Sequence, residues 1–239
     1  MAAPQNHWTA ELDPTPNRLQ NQEEFLLHRP DDGGTERIVL HDYASVYAVP
    51  GLYEDVVQRQ LECTSPATVA AALADAAGER VTGLRAFDLG AGNGVVGEEL
   101  TARGVTVVVG ADGIPEARDA AHRDRPGLYR HYLVGERIDS DEVRRLVADE
   151  ALNALVAAGA VGQGHVPVDT LGELWDAFGS GSFLALTVSD VDGRSDVADV
   201  EGMLARRATT RTVLQRRFRH RVSMAGTELF YAVLVAVKE

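Results

Sequence analysis

From Leu84 onward the chain alternates short β-rich runs with stretches whose apolar positions recur at helical spacing. The β-rich runs at 86–89, 106–111, 129–134, 152–157 and 183–188 predict strands, and the intervening segments at 95–103, 115–123, 140–147 and 170–178 predict helices. Val105-Thr106-Val107-Val108-Val109 has no polar face, as a strand covered on both sides requires. A further helix at 197–207 precedes two strands, 212–223 and 229–237. Ala225-Gly226-Thr227 joins these last two, so they must pair antiparallel. The pattern predicts an α/β fold: a single Rossmann-like doubly wound sheet, mostly parallel, with an antiparallel C-terminal strand.

The first third of the chain reads differently. Residues 1–36 are polar and punctuated by Pro4, Pro14, Pro16, Pro30, Gly33 and Gly34, which predicts an extended or poorly ordered arm. Within it, 23–27 predicts one helical turn or a docked segment. Ile38, Tyr43, Val46, Tyr47, Tyr53, Val56, Val57 and Leu61 fall at helical spacing and predict one or two helices broken near Pro50-Gly51. A clearer helix follows, with Ser65 as N-cap, Pro66 at the first helical position and Gly78 as the stop. The expected organisation is an arm at 1–36, a helical lid at 37–80 and a ligand-binding domain at 81–239.

Composition narrows the partners. With 239 residues, 45% of them hydrophobic, the chain suits one α/β domain with a small appendage. No apolar run reaches membrane-spanning length, and the N-terminal residues lack a secretory pattern, so a cytoplasmic protein with no membrane partner is expected. Cys63 is the single cysteine, which excludes an internal disulfide and a cysteine zinc site; no histidine pair falls at ligand spacing with a carboxylate, so no metal is expected. A formal charge of −13 repels a polyanion, so no nucleic-acid partner is expected and a small molecule fits better. A homodimer stays open.

The densest chemistry lies at Phe87-Asp88-Leu89-Gly90-Ala91-Gly92-Asn93-Gly94, where a strand runs into an acid and then three glycines at every second position. Glycines are needed where the backbone turns tightly or passes close beneath a ligand. Gly92-Asn93-Gly94-Val95-Val96-Gly97, with Asp112 about 20 residues from the loop, also spells a nicotinamide-dinucleotide fingerprint. That spelling starts two residues late, and the terminal hairpin replaces a second mononucleotide half, so a nicotinamide-dependent oxidoreductase is the alternative. S-adenosylmethionine suits the residues better. Asp88 would oppose the ammonium of its methionine end, Gly90 and Gly92 would let the backbone pass beneath it, Asp112 would accept both ribose hydroxyls, and Glu136 would meet the adenine.

These pieces resemble the class I S-adenosylmethionine-dependent methyltransferases: the 88–94 loop, Gly110-Ala111-Asp112-Gly113, Val134-Gly135-Glu136, Ala157-Ala158-Gly159-Ala160 and the terminal hairpin. Within that class the chain is most similar to the small methyltransferase-like subgroup named after the Williams–Beuren syndrome region, through Gly162-Gln163-Gly164-His165-Val166-Pro167 and Arg219-His220-Arg221-Val222-Ser223. Glu136 departs from it, since many relatives carry Asp there. The resemblance implies that Ala91, Asn93, Gly113, Ile114 and Ala158 join the cofactor contacts, that Tyr47 lies near the methionine end, and that 38–63 closes the pocket. The activity it implies is methyl transfer to an O, N, S or C nucleophile; a non-methylating protein of the same fold is a further alternative.

Other residues have plainer readings beside the functional one. His165, in the loop after the fourth strand, is the candidate general base, or else a structural histidine. Asp112 could cap the helix that follows, Glu136 could be a solvated acid, and Tyr43 and Tyr47 could simply pack a lid helix on the core. His220 reads as a surface or satisfied histidine, Trp175 as core, and the arginines of 206–221 as a solvated face.

Overall fold

The computed structural model describes residues 7–30, 33–135, 139–162, 164–191 and 194–239. After Leu84 the predicted alternation is present: β4 (Arg85–Leu89), α3 (Val95–Thr101), β5 (Thr106–Asp112), α4 (Pro115–Asp124), β6 (His131–Val134), α5 (Ser140–Asp149), β7 (Ala154–Ala158), α6 (Val168–Asp176), β8 (Phe183–Val191), a two-residue β9 (Arg194–Ser195), α7 (Val197–Ala205), β10 (Thr210–Val222) and β11 (Glu228–Lys238). The main sheet has the order β10-β11-β8-β7-β4-β5-β6, with β9 paired to β8 off that path. β4 to β8 are parallel. β11 runs antiparallel to β8, and β10 antiparallel to β11. The mostly parallel sheet with an antiparallel end is thus as the pattern predicts.

Both faces of the sheet are covered. Trp175, Leu171, Leu174, Met203 and Leu204 from α6 and α7 pack against Phe87, Leu155 and Leu184. On the other face Val69 and Leu73 of α2 (Ser65–Ala77), with Val96 and Leu100 of α3, pack against Ala86, Val156, Ala185 and Val233. Trp175 is core, its indole N–H held by Thr210 Oγ1 at 3.0 Å. No helix among the described residues is long and apolar enough to cross a membrane.

The arm is where the structure departs from the sequence reading. β1 (Thr9–Leu12), β2 (Glu24–Arg29) and β3 (Gly34–Val39) form a three-stranded antiparallel sheet of their own. The 23–27 segment is mostly strand, and Ile38 belongs to β3 instead of a helix. Alternation in β2 buries Phe25 and Leu27, and these join Ile38, Leu40, Val46, Leu52, Val56, Leu61 and Met224 in a separate apolar cluster. Helix follows in two pieces, α1 (Tyr43–Ala48) and a π-helical segment Glu54–Gln60, on either side of Pro50-Gly51. Asp42 caps α1 by accepting from the Ser45 N–H.

Candidate functional site

The strand order reverses between β4 and β7: the chain moves outward through β5 and β6, then returns to lay β7 on the other side of β4. Loops leaving two such strands diverge and open a crevice at the carboxyl ends. Here the crevice is closed over by α1 and the π-helical segment, giving a cavity of about 510 Å³.

The glycine loop forms its floor. Gly90, Gly92 and Gly94 all have positive φ, at 70°, 53° and 92°. A side chain on Gly90 would collide with Ala160 of the loop after β7, and one on Gly92 with the Tyr47 hydroxyl. The loop is tied down from β5: the Gly90 and Ala91 N–H groups both donate to the Ala111 carbonyl, at 2.8 and 3.0 Å. Tyr132 donates to the Gly92 carbonyl at 2.6 Å.

Asp112 ends β5 and lines the cavity. Its carboxylate accepts from the Gly92 N–H at 3.0 Å and the Ile114 N–H at 3.3 Å. It does not cap α4, whose N-cap is Ile114. Burial raises its pKa, and the amides of Gly92, Ile114 and Gly113 oppose that shift. A carboxylate has about four lone-pair sites, so acceptor capacity is left over after these two oriented contacts.

Asp88 does not do what the sequence reading expects. It is fully buried, and it is absent from the cavity lining. Its Oδ2 accepts from the Tyr129 hydroxyl at 2.7 Å. Burial pushes its pKa up to about 7, against the pull of that hydrogen bond. The side chain of Tyr129 passes over Gly97, where a Cβ would come within 2.7 Å of its hydroxyl oxygen. The third glycine of the dinucleotide spelling is therefore accounted for by this tyrosine.

Of the other expected cofactor residues, Tyr47, Ala91, Asn93, Gly113 and Ala158 line the cavity with Gly90 and Asp112. Gly92 lies beneath the Tyr47 hydroxyl, and Ile114 contributes its N–H to Asp112 without reaching the cavity wall. Glu136 and Gln163 lie outside the described residues; Gly135, beside Glu136, is at the cavity edge. Tyr47 is buried between Tyr43 and Tyr53, with ring centroids 6.0 and 5.0 Å away. Arg123 fastens this segment to α4 by donating to the Tyr47 carbonyl at 3.1 Å. Arg125 binds Glu54 at 3.0 Å, Glu98 at 2.8 Å and the Asn93 carbonyl at 3.0 Å, linking the π-helical segment to the glycine loop.

The far end of the cavity holds residues that the sequence reading did not assign to a site. His165 is there as expected, with His41, Ser65, His220, Arg221 and Tyr231. His220 is buried, stacked on Tyr231 at 3.8 Å, and its Nδ1 is 2.7 Å from the Ser65 hydroxyl. Ser65 therefore holds this histidine and does not cap α2, whose N-cap is Thr64. Arg221 is buried too, in an ion pair with Glu23 of equal burial. The register of β10 against β11 slips between Arg219 and Arg221. Such a bulge turns two successive side chains to one face, so neither His220 nor Arg221 is on a solvated strand face. An isolated histidine within an arginine-rich run was the available signal.

No family model matches the chain, and no curated protein matches it. Solved structures do. A magnesium protoporphyrin IX methyltransferase from Synechocystis, solved with bound S-adenosylmethionine, superposes with a TM-score of 0.51 at 16% identity, over 73% of this chain and 79% of that one. A putative RNA methyltransferase from Pyrococcus horikoshii gives 0.51 at 12% identity, over 72% and 82%. A protein from work on the conversion of a disulfide bond into a thioacetal group in echinomycin biosynthesis gives 0.52 at 14%, over 71% and 81%. The chain has the fold of S-adenosylmethionine-dependent methyltransferases. The cavity described above lies at the carboxyl ends of the central strands of that fold.

Proposed function

We propose that the protein binds S-adenosylmethionine and transfers its methyl group to a small molecule. The observation that carries this reading is Asp112: a carboxylate at the cavity wall, held by the Gly92 and Ile114 amides, beside a loop with no side chains at Gly90 and Gly92. A fixed carboxylate suits a ribose diol and repels a ribose phosphate. Gly90, Ala91, Asn93, Gly113 and Ala158 would form the cradle, with Tyr47 over the methionine end and Glu136 toward the adenine. The cofactor supplies an electrophilic methyl on a sulfonium. The protein contributes alignment, which is worth up to roughly 7–11 kcal/mol, and a pocket shielded by residues 38–63. Asp88 serves from below, bracing Tyr129 and the base of the loop. His165 is the imidazole that the sequence reading proposes as proton acceptor for a nucleophile that does not ionise by itself.

The small-molecule reading is supported by the arginines of the C-terminal hairpin. Arg206, Arg207, Arg211, Arg217, Arg219 and Arg221 each pair with a carboxylate, which weakens them as a nucleic-acid surface. We place the protein in the cytoplasm, and divide it into the N-terminal sheet, the segment covering the cavity and the cofactor domain. Parallel calorimetric titrations with S-adenosylhomocysteine and NADH test the function. Saturable binding of the former alone supports it; NADH binding alone favours the oxidoreductase.

A further inference from the structure

The far end of the cavity carries a lone pair with nothing to do. His41 lines the cavity, and its Nδ1 is buried with no hydrogen-bond partner among the described residues. A neutral imidazole has one N–H and one lone pair, and an unpartnered Nδ1 is the ring nitrogen left to accept from a bound hydroxyl. His165 is its neighbour, with ring centroids 5.9 Å apart. His165 also borders a second cleft of about 580 Å³ beyond the cavity, lined by Asp169, Asp196 and Asp199. His165 thus borders both spaces, with His41 beside it.

The groups around that end are electrically balanced. The Arg221 guanidinium is matched by Glu23 and also donates to the Val222 carbonyl. Burial holds all three imidazoles below their usual range, His41 at about 4 and His220 at about 3, so they are neutral at neutral pH. Burial also pushes the Cys63 thiol and the Tyr231 phenol up, which keeps both uncharged. Asp112 and Asp196 are the carboxylates that act on His165, whereas His41 feels the Arg221 guanidinium. A charged substrate would be desolvated here without a counter-ion, at a cost of several kcal/mol. The walls offer flat surfaces instead: Tyr43 packs edge-on to His41 at 5.5 Å, and Tyr231 stacks on His220.

We propose that the methyl acceptor is an uncharged aromatic hydroxyl compound, and that His41 Nδ1 takes its proton. This rests on the methyl-transfer reading given above. The phenolic oxygen forms a bond to the methyl carbon as the bond from that carbon to sulfur breaks, sulfur keeping the electron pair. The O–H proton passes to Nδ1; His165, beside His41, borders the second cleft. A weak base is sufficient, because an oxygen being alkylated becomes strongly acidic as the new bond forms. A base that stays neutral at neutral pH keeps its lone pair available throughout.

The test uses the full chain, His41→Gln and His165→Gln, with 4-methoxyphenol and 4-nitrophenol as probes at about pH 8. An ordinary phenol, titrating near 10, keeps its proton there, whereas 4-nitrophenol is far more acidic and, bound as the neutral phenol, gives up its proton with much less help from a base. Labelled S-adenosylmethionine reads the transfer. The expected result is a loss of about 100-fold or more in His41→Gln with 4-methoxyphenol, a much smaller loss with 4-nitrophenol, and unchanged S-adenosylhomocysteine affinity. Histidine ¹⁵N spectra of the S-adenosylhomocysteine complex give a second readout: His41 Nδ1 is non-protonated at neutral pH, and its resonance moves when 4-methoxyphenol is added. Equal losses on both probes, the probe-dependent loss in His165→Gln alone, a protonated Nδ1, or no transfer to either phenol in a protein that binds S-adenosylhomocysteine would each overturn the proposal. Failure of the unaltered chain to bind S-adenosylhomocysteine strikes instead at the methyl-transfer reading.

Discussion

Tyr129 donates its hydroxyl to Asp88 at 2.7 Å, and this hydrogen bond holds a fully buried carboxyl beneath the glycine loop. Two consequences can be measured. Tyr129→Phe removes that donor and should cost about 1–3 kcal/mol in urea unfolding. The raised pKa, about 7, sets a pH dependence. Between the ordinary carboxylate range near 4 and about 7, the folded protein holds this proton more tightly than the unfolded chain. The stability contributed by the protonated group is complete below about 4 and is lost as pH rises toward 7 and above. Asp88→Asn should remove this slope and match or exceed the parent's stability at about pH 8. An unchanged slope in Asp88→Asn would mean that Asp88 is not its source.

Glu23 and Arg221 form the buried ion pair that joins the N-terminal sheet to the terminal hairpin, and Glu23 also accepts from the Met224 N–H at 2.7 Å. Glu23→Ala leaves a guanidinium buried without its counter-charge, an arrangement that costs about 3–5 kcal/mol. Replacing both residues with apolar ones of similar volume should recover much of that loss. The check is urea unfolding of the single and double variants; equal destabilisation in both would contradict it.

Phe25 is wholly buried in the N-terminal cluster. Phe25→Ala should lower stability by about 3–5 kcal/mol and expose residues 7–61 to limited proteolysis, with the later strands resistant. A poorly ordered arm would show no such effect.

The sequence showed the sheet clearly because a buried parallel strand must be apolar on both faces, as Val107, Val108 and Val109 are. The loop glycines were legible for the same kind of reason: positive φ at Gly90, Gly92 and Gly94 leaves few other choices. The N-terminal sheet was hidden. Only Ile38 is buried in β3, so that strand has no alternation to read; Thr35, Glu36 and Arg37 lie within it, and Pro14, Pro16 and Pro30 fall between strands. Asp88 looked like a ligand because an acid before a glycine loop has the right chemistry; its direction depends on Tyr129, 41 residues away, which no local pattern reports. Arg221 was misplaced because a bulge broke the alternation on which a solvated face was argued, whereas His220 is the satisfied histidine of its plainer reading. His41 enters the site only through the folding of the N-terminal segment over the crevice.

Gly92 has φ of 53° and lies beneath the Tyr47 hydroxyl. Gly92→Ala should therefore strain the loop and displace Tyr47. The expected outcome is a loss of S-adenosylhomocysteine affinity of about tenfold or more, equivalent to about 1.4 kcal/mol, with Tyr47→Phe far milder. Calorimetry on the two variants decides this, and equal affinity in Gly92→Ala and the parent would contradict it.

The most direct measurement is calorimetric titration of S-adenosylhomocysteine into the unaltered protein and into Asp112→Ala. A single saturable site is expected in the first, with binding weaker by about 10- to 100-fold in the second, equivalent to the roughly 1.5–3 kcal/mol of hydrogen bonds to a charged group. No binding to the unaltered protein, or the same affinity with and without the Asp112 carboxylate, would contradict the account.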